Sequence, residues 1–371
     1  MTTPNNLTRL FDEFGQSPWL DNLKRGFITS GQLALMRNSG IRGLTSNPTI
    51  FQKAIQGSSD YDDQFSALVK QQHNALDAYW EMVLHDINGA LDVFVPVYES
   101  SNGTDGFVSV EVDPGLAHDA TGTQNAARNL HQRVGRPNVM IKIPATEEGI
   151  PAIRSMISEG RNVNVTLIFS LDRYQAVMDA YVEGLEILAA GTLGSLPPVA
   201  SVASFFISRV DTEIDRRLEA QGSPEAITLR GTAAVAQAKL AYEMFQRTFS
   251  GPRWDALVLR GARRQRPLWA STSTKNPEYP DTLYVDQLIG PDTVNTLPDS
   301  TIEAFLDHGT LRRTIDEDIG QSRDHWNALH HVGIDVNDVA HQLEREGVSS
   351  FQKSFDELIE ALITKTALFA R

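Results

Sequence analysis

The chain of 371 residues is 41% apolar and 22% charged and carries a net charge of −14 with no cysteine; this is an ordinary globular composition, and it excludes disulfides, thiolate nucleophiles, Fe–S clusters and cysteine-held zinc. The acidic excess argues against nucleic acid as a partner, because that binding rests on Lys and Arg neutralising phosphates, while a small anion remains compatible with a local cluster of bases. The opening stretch MTTPNNLTRLFDEFGQ lacks the basic n-region and continuous apolar run of secretion, so a cytoplasmic protein is expected.

Short apolar runs rich in β-branched residues recur at 18–21, 43–46, 107–112, 139–144, 162–169, 198–206, 267–271 and 292–296, separated by longer stretches of helical periodicity. That alternation predicts parallel strands joined by crossover helices. The uncharged stretch 187–208 is broken by Gly191, Gly194, Pro197 and Pro198, and it reads as a helix end, a loop and a strand rather than a membrane span. An open doubly wound sheet would favour a Gly-rich turn after its first strand, and none is present. Eight strands with polar residues spread over many of their ends instead predict an α/β fold, a (β/α)8 TIM barrel.

After Pro298 the pattern turns helical. Ser300 with Glu303 suggests a capping box, and Gly309 and Gly333 suggest helix stops. Phe351, Phe355, Leu358, Ile359 and Leu362 share one face of a last helix, expected to pack on the barrel wall. The chain is therefore read as one domain over 1–371, with barrel strands at about 18–298 and a helical extension at 299–371.

Lys142 stands in a run, VMIKIPA at 139–145, that otherwise reads as a fully buried strand. Burial should push an ammonium from its usual pKa of about 10.4 toward neutrality, freeing an amine to attack a carbonyl. A structural ion pair is an equal alternative from this residue alone. Glu111 lies among apolar residues near the end of the preceding strand, where it could pair with Lys142 or serve the proton transfers of carbinolamine chemistry. Asn164 and Thr166 alternate onto one face of the next strand. Asn47 precedes Pro48 at a strand end, as a turn residue or a ligand-binding one. Asp21 follows the first strand as either a helix N-cap or a general base.

Ser204 and Arg209 close a strand with a pairing suited to phosphate. Ser271 and Lys275 follow the next, and barrels commonly bind phosphate at the loops of their last strands. Arg263, Arg264 and Arg266 form a basic patch read as a solvated face. The 9 histidines show no tight ligand spacing, so no metal is expected, and His330 and His331 are assigned to the surface.

Two segments, GLTSNPTIF at 43–51 and IKIPAT at 141–146, resemble the transaldolase family, and the resemblance extends over most of the chain. It implies that Lys142 forms an imine with a ketose carbonyl, that Glu111 and Thr166 hold a proton-shuttling water, and that Asp21 takes the proton of the C4 hydroxyl. Asn47, Asn164 and Ser204 would hold the dihydroxyacetone unit and Arg209 the phosphate. The implied reaction is reversible exchange between sedoheptulose 7-phosphate with glyceraldehyde 3-phosphate and erythrose 4-phosphate with fructose 6-phosphate, in the pentose phosphate pathway. It needs no cofactor, and its partners are sugar phosphates, with no nucleic acid or membrane, in a monomer or homodimer.

The related fructose 6-phosphate aldolases tend to carry glutamine where Glu111 stands and tyrosine where Phe206 stands, so transfer is expected over release. Many transaldolases have an arginine at the position of Ser273, two residues after Ser271; Lys275 is expected to substitute for it. The alternatives are an aldolase-like enzyme that releases its product, or a non-catalytic sugar-phosphate-binding barrel.

Overall fold

The computed structural model of the chain describes residues 4–369. Seven strands form one parallel sheet: β1 (Gln16–Leu20), β2 (Val108–Glu111), β3 (Val139–Pro144), β4 (Val163–Ile168), β5 (Ser201–Phe206), β6 (Arg266–Ala270) and β7 (Thr293–Leu297), in the order β1-β7-β6-β5-β4-β3-β2. All are buried along their length apart from a half-buried Arg266 at the start of β6. Burial on both faces is why they read as continuous apolar runs rather than alternating ones.

The eighth strand expected at 43–46 is reduced to a single bridging residue. Leu44 pairs in parallel with Leu20 of β1 on one side and with Val108 of β2 on the other. Arg42 N donates to Pro18 O and Thr45 N to Leu20 O, while Leu44 N reaches Phe107 O and Ser109 N reaches Leu44 O, all at 2.8–3.0 Å. This segment joins the two sheet edges, so the strands close into an eight-stranded barrel with no free edge.

The start of that segment is tightly packed. Trp19 fills the barrel interior with no exposure, its Nε1 donating to Asp105 Oδ1 at 2.8 Å, and the backbone at Gly43 lies flat against the indole. A Cβ at Gly43 would sit 2.5–2.7 Å from three indole atoms. Gly43→Ala should therefore cost about 1–3 kcal/mol through overpacking. The check is the urea midpoint at unchanged slope; an unaltered midpoint would mean that the indole can move aside.

The 187–208 region divides as expected, into the end of the helix Leu171–Gly191, a loop and β5. The capping box does not form. The helix Asp299–His308 starts directly after Pro298, whose carbonyl accepts from both Thr301 N and Ile302 N, and Ser300 is left exposed inside the first turn. Gly309 caps that helix, and Gly333, at φ +82°, follows the helix Ile319–His331.

The last helix, Val336–Phe369, is 34 residues long, which spans about 50 Å. It packs against the helices Pro48–Gln56, Ala75–Ser100 and Ser208–Gln221 and against β4. Phe351, Phe355, Leu358 and Leu362 are buried as the periodicity predicts, with Ile359 half-buried. That face covers two surfaces: Phe355 packs edge-on against Tyr79 of the helix Ala75–Ser100, and Phe351 lies nearer the barrel interior. Gly347 has no Cβ where one would lie 2.9 Å from Leu167 at the end of β4 and 3.5 Å from Arg209, so the helix crosses the C-terminal mouth of the barrel.

Candidate active site

Parallel strands turn all their C-terminal ends to one face of a barrel, and functional side chains collect there. On this face Asp21, Thr45, Asn47, Lys142, Thr166 and Ser204 line one end of a cavity of about 140 Å3, and Phe206, Arg209, Ser271, Ser273 and Lys275 continue it. Nine of the residues singled out in the sequence thus meet in one space; Glu111 and Asn164 stand just behind it.

Lys142 is 4% exposed. Register pairs it with Glu111 of β2 and Asn164 of β4. Its Nζ lies 3.2 Å from Glu111 Oε2 as an ion pair and donates to the carbonyl of Ser46 at 3.3 Å. Burial pushes the Glu111 carboxyl above its ordinary range, and the neighbouring Lys142 only partly offsets this. A carboxylate that is costly to keep ionised is well placed to take a proton from the ammonium beside it. Thr166, two residues from Asn164 along β4, is fully buried, and its hydroxyl has no hydrogen-bond partner within the protein. A buried hydroxyl without a protein partner commonly marks a place where a ligand or water is held.

Asp21 follows β1 and caps no helix. Its Oδ1 accepts from Thr45 Oγ1 at 2.9 Å, and Thr45 contacts Thr296 Oγ1 at 2.7 Å. This chain of hydroxyls from the bridging segment and β7 fixes the carboxylate at the end of β1, one strand position removed from β2 and its Glu111. Burial raises Asp21 too, against the pull of Lys142, Thr45, Lys275 and Arg209.

Asn47 is the N-cap of the helix Pro48–Gln56, its side-chain oxygen accepting from Ile50 N at 2.9 Å; the amide nitrogen is left to the cavity. Asn164 is committed inward: it donates to Ser109 Oγ at 3.0 Å and accepts from Ser204 Oγ at 2.8 Å. It thus orients Ser204 rather than lining the space itself.

The far end is cationic. Arg209 lies in the first turn of Ser208–Gln221, its guanidinium 5.2 Å from the centre of the Phe206 ring, which packs on Phe169. Lys275 Nζ contacts Ser273 Oγ at 2.5 Å, and desolvation together with Arg209 lowers its pKa, so the two cations share one neighbourhood. Ser271 Oγ contacts Ser208 Oγ at 2.9 Å. Ser271 at φ +58° and Leu167 at φ +59° are non-glycine residues in the left-handed region, Leu167 at an irregularity between β4 and β5. Such backbone costs about 1–3 kcal/mol and clusters where side chains must be aimed.

Thr45, Thr296 and Phe351 line the cavity without a site role in the sequence reading. Thr45 and Thr296 resemble ordinary strand threonines, although Thr45 lies two residues before Asn47 within the segment already singled out. Phe351, from the last helix, brings its ring centre within 5.7 Å of Lys142 Nζ and closes the mouth. His330 and His331 are exposed. Among the described residues no group of three or more His, Asp or Glu is placed to hold a metal, and no helix is long and apolar enough to cross a membrane.

The family described as transaldolase/fructose-6-phosphate aldolase matches residues 18–362 of this chain. Transaldolase 1 of Streptomyces avermitilis is 49% identical over 364 residues, covering 98% of this chain and 96% of that protein. The transaldolase of Parafrankia is 50% identical over 351 residues, 94% of this chain and 95% of its own length. That of Acidothermus cellulolyticus is also 50% identical over 351 residues, covering 94% of each chain.

Proposed function

The chain belongs to the transaldolase/fructose-6-phosphate aldolase family and is a transferase with transaldolase activity, and we propose that it works by holding a dihydroxyacetone unit on Lys142. The single observation that carries this assignment is a lysine buried on β3, flanked by Glu111 and Asp21 and opening onto a cavity with a cationic far end.

The neutral amine of Lys142 adds to the ketose carbonyl, its proton passing to Glu111, and loss of water from the carbinolamine leaves a protonated imine. Glu111 at 3.2 Å and the unpartnered hydroxyl of Thr166 carry the protons of this step. Asp21 then takes the proton of the C4 hydroxyl, the C3–C4 bond breaks, and its electrons move onto the imine to give an enamine. The aldose phosphate departs. An acceptor aldehyde phosphate reverses the sequence, its oxygen regaining a proton from Asp21, and hydrolysis of the new imine frees Lys142.

Asn47 and Ser204 hold the three-carbon unit, with Asn164 orienting Ser204. Arg209, Ser271 and Lys275 hold the phosphate. Lys275→Ala should raise KM for fructose 6-phosphate about tenfold with kcat little altered, the signature of lost binding common to ground and transition states. An unchanged KM would remove Lys275 from the phosphate site.

Phe206 and Phe351 are the aromatic rings that line this cavity. Neither ring can present a hydroxyl to position a protonating water, so the fragment waits for an aldehyde. Sugar phosphates are the partners such a site asks for, in a cytoplasmic enzyme acting as a monomer or homodimer. The test is to incubate the enzyme with fructose 6-phosphate alone and with erythrose 4-phosphate added. Glyceraldehyde 3-phosphate should accumulate only with the acceptor; equal release without it would identify an aldolase, and none in either case would leave a binding barrel.

A further inference from the structure

The larger hollow of the barrel lies at the end away from Lys142. It holds about 540 Å3, with Phe107, Met140 and Val202 on its inner surface and Arg263, Arg264 and Arg266 around it. Met140 and Val202 sit two residues before Lys142 and Ser204 on the same strands, so they point into the same barrel interior from the N-terminal end. The volume falls within the range of about 300–1,000 Å3 typical of small-molecule sites. No part of the proposed transfer chemistry uses it.

Its charge is unusual for a chain of net charge −14. Arg266 donates to Ser17 Oγ and Thr104 O at 2.9 Å and lies 3.3 Å from Asp105, whose carboxylate is shared with Arg42 at 2.8 Å. Arg264 faces Asp292 at 3.0 Å. Arg263 donates to the carbonyls of Asn102, at 2.7 Å, and Gly103, and has no carboxylate among the described residues. Four guanidiniums thus meet two carboxylates beside an apolar interior. A sugar phosphate suits this poorly, because its hydroxyls would lose water against Phe107, Met140 and Val202. The hydroxyl of Ser201, also in the lining, is already donated to Val163 O.

We infer that this hollow is a binding site for a small organic anion with an apolar body, such as a carboxylate on an aliphatic or aromatic frame. The head group meets Arg263 and Arg264, and the body covers the inner apolar surface.

The experiment is a fluorescence titration of the full-length enzyme with 8-anilinonaphthalene-1-sulfonate, an aromatic anion of this class. One saturable site is expected, displaced by decanoate and not by fructose 6-phosphate. Arg263→Gln should weaken it about tenfold, the loss of one charge-assisted contact, and Arg263→Lys should keep most of the affinity. Because Arg263 also ties down the 102–103 turn, Arg264→Gln provides a second variant, expected to weaken binding several-fold. Sugar transfer in each variant reports that the barrel is intact. Non-saturating fluorescence, displacement by fructose 6-phosphate, or undiminished affinity in a folded Arg263→Gln or Arg264→Gln enzyme would each overturn the assignment.

Discussion

Lys142→Met should lose transfer activity by on the order of 10^5-fold or more, about 7 kcal/mol of transition-state stabilisation. Methionine keeps an unbranched side chain of similar length in a slot where Lys142 is 4% exposed, so packing is conserved while the nucleophile is removed. Breaking a buried ion pair commonly costs about 3–5 kcal/mol because one charge is stranded. The cost here should be smaller, because burial already raises Glu111 and a proton can neutralise it. The measurement is a coupled transfer assay beside a urea melt. A folded variant within about a hundredfold of the parent would mean that the chemistry does not pass through this amine.

Asp21→Asn should separate bond cleavage from imine formation. Losing a positioned general base costs typically 10²–10⁴-fold in rate, so kcat should fall by about that factor with KM changed less than about threefold. Imine formation, served by Glu111 and Thr166, should persist. The parent enzyme carries a pH signature of the same arrangement. Burial raises both Asp21 and Glu111, and below its pKa Asp21 holds a proton and cannot accept one from the C4 hydroxyl. Activity should therefore fall as pH drops through a midpoint above about 3.9, the ordinary aspartate value. Full activity retained below that value, or an Asp21→Asn enzyme that turns over at the parent rate, would contradict the role.

How far the chain could be read depends on whether each feature is local. β3 runs from Val139 to Pro144 as read, and β4 and β5 lie within their expected runs, because doubly buried parallel strands leave continuous β-branched runs. Lys142 and Glu111 were visible as charges inside such runs, and their register partnership follows from the parallel pairing of adjacent strands. The second barrel strand shrinks to the single bridging residue Leu44, and the contact of Gly43 beside it with Trp19 is not local in sequence. Asp21 could not be told from a helix cap, since the Thr45–Thr296 hydroxyl chain that holds it comes from two other strands.

The last helix makes the same point about packing. Its stripe of Phe351, Phe355, Leu358 and Leu362 says which face is buried but not which surface buries it. Contact with Leu167 and Arg209 at Gly347 places the first part of that face at the mouth of the barrel, where Phe351 approaches Lys142, while Phe355 packs against Tyr79 of an outer helix. Asn164 shows the converse. Its polarity in an apolar strand was legible, but both its amide groups serve Ser109 and Ser204 within the protein. In the basic patch at 263–266 Arg264 is exposed, as a solvated face requires, but the guanidiniums of the patch also bind carbonyls and carboxylates around the second hollow, which the sequence does not reveal.

The most direct test of the central claim is borohydride reduction of the enzyme in the presence of fructose 6-phosphate, followed by peptide mass analysis. The peptide carrying Lys142 should gain the mass of a reduced dihydroxyacetone unit, and the gain should disappear when erythrose 4-phosphate is added before the borohydride. A three-carbon adduct on another lysine, or none on Lys142 in an enzyme that is turning over, would contradict the account.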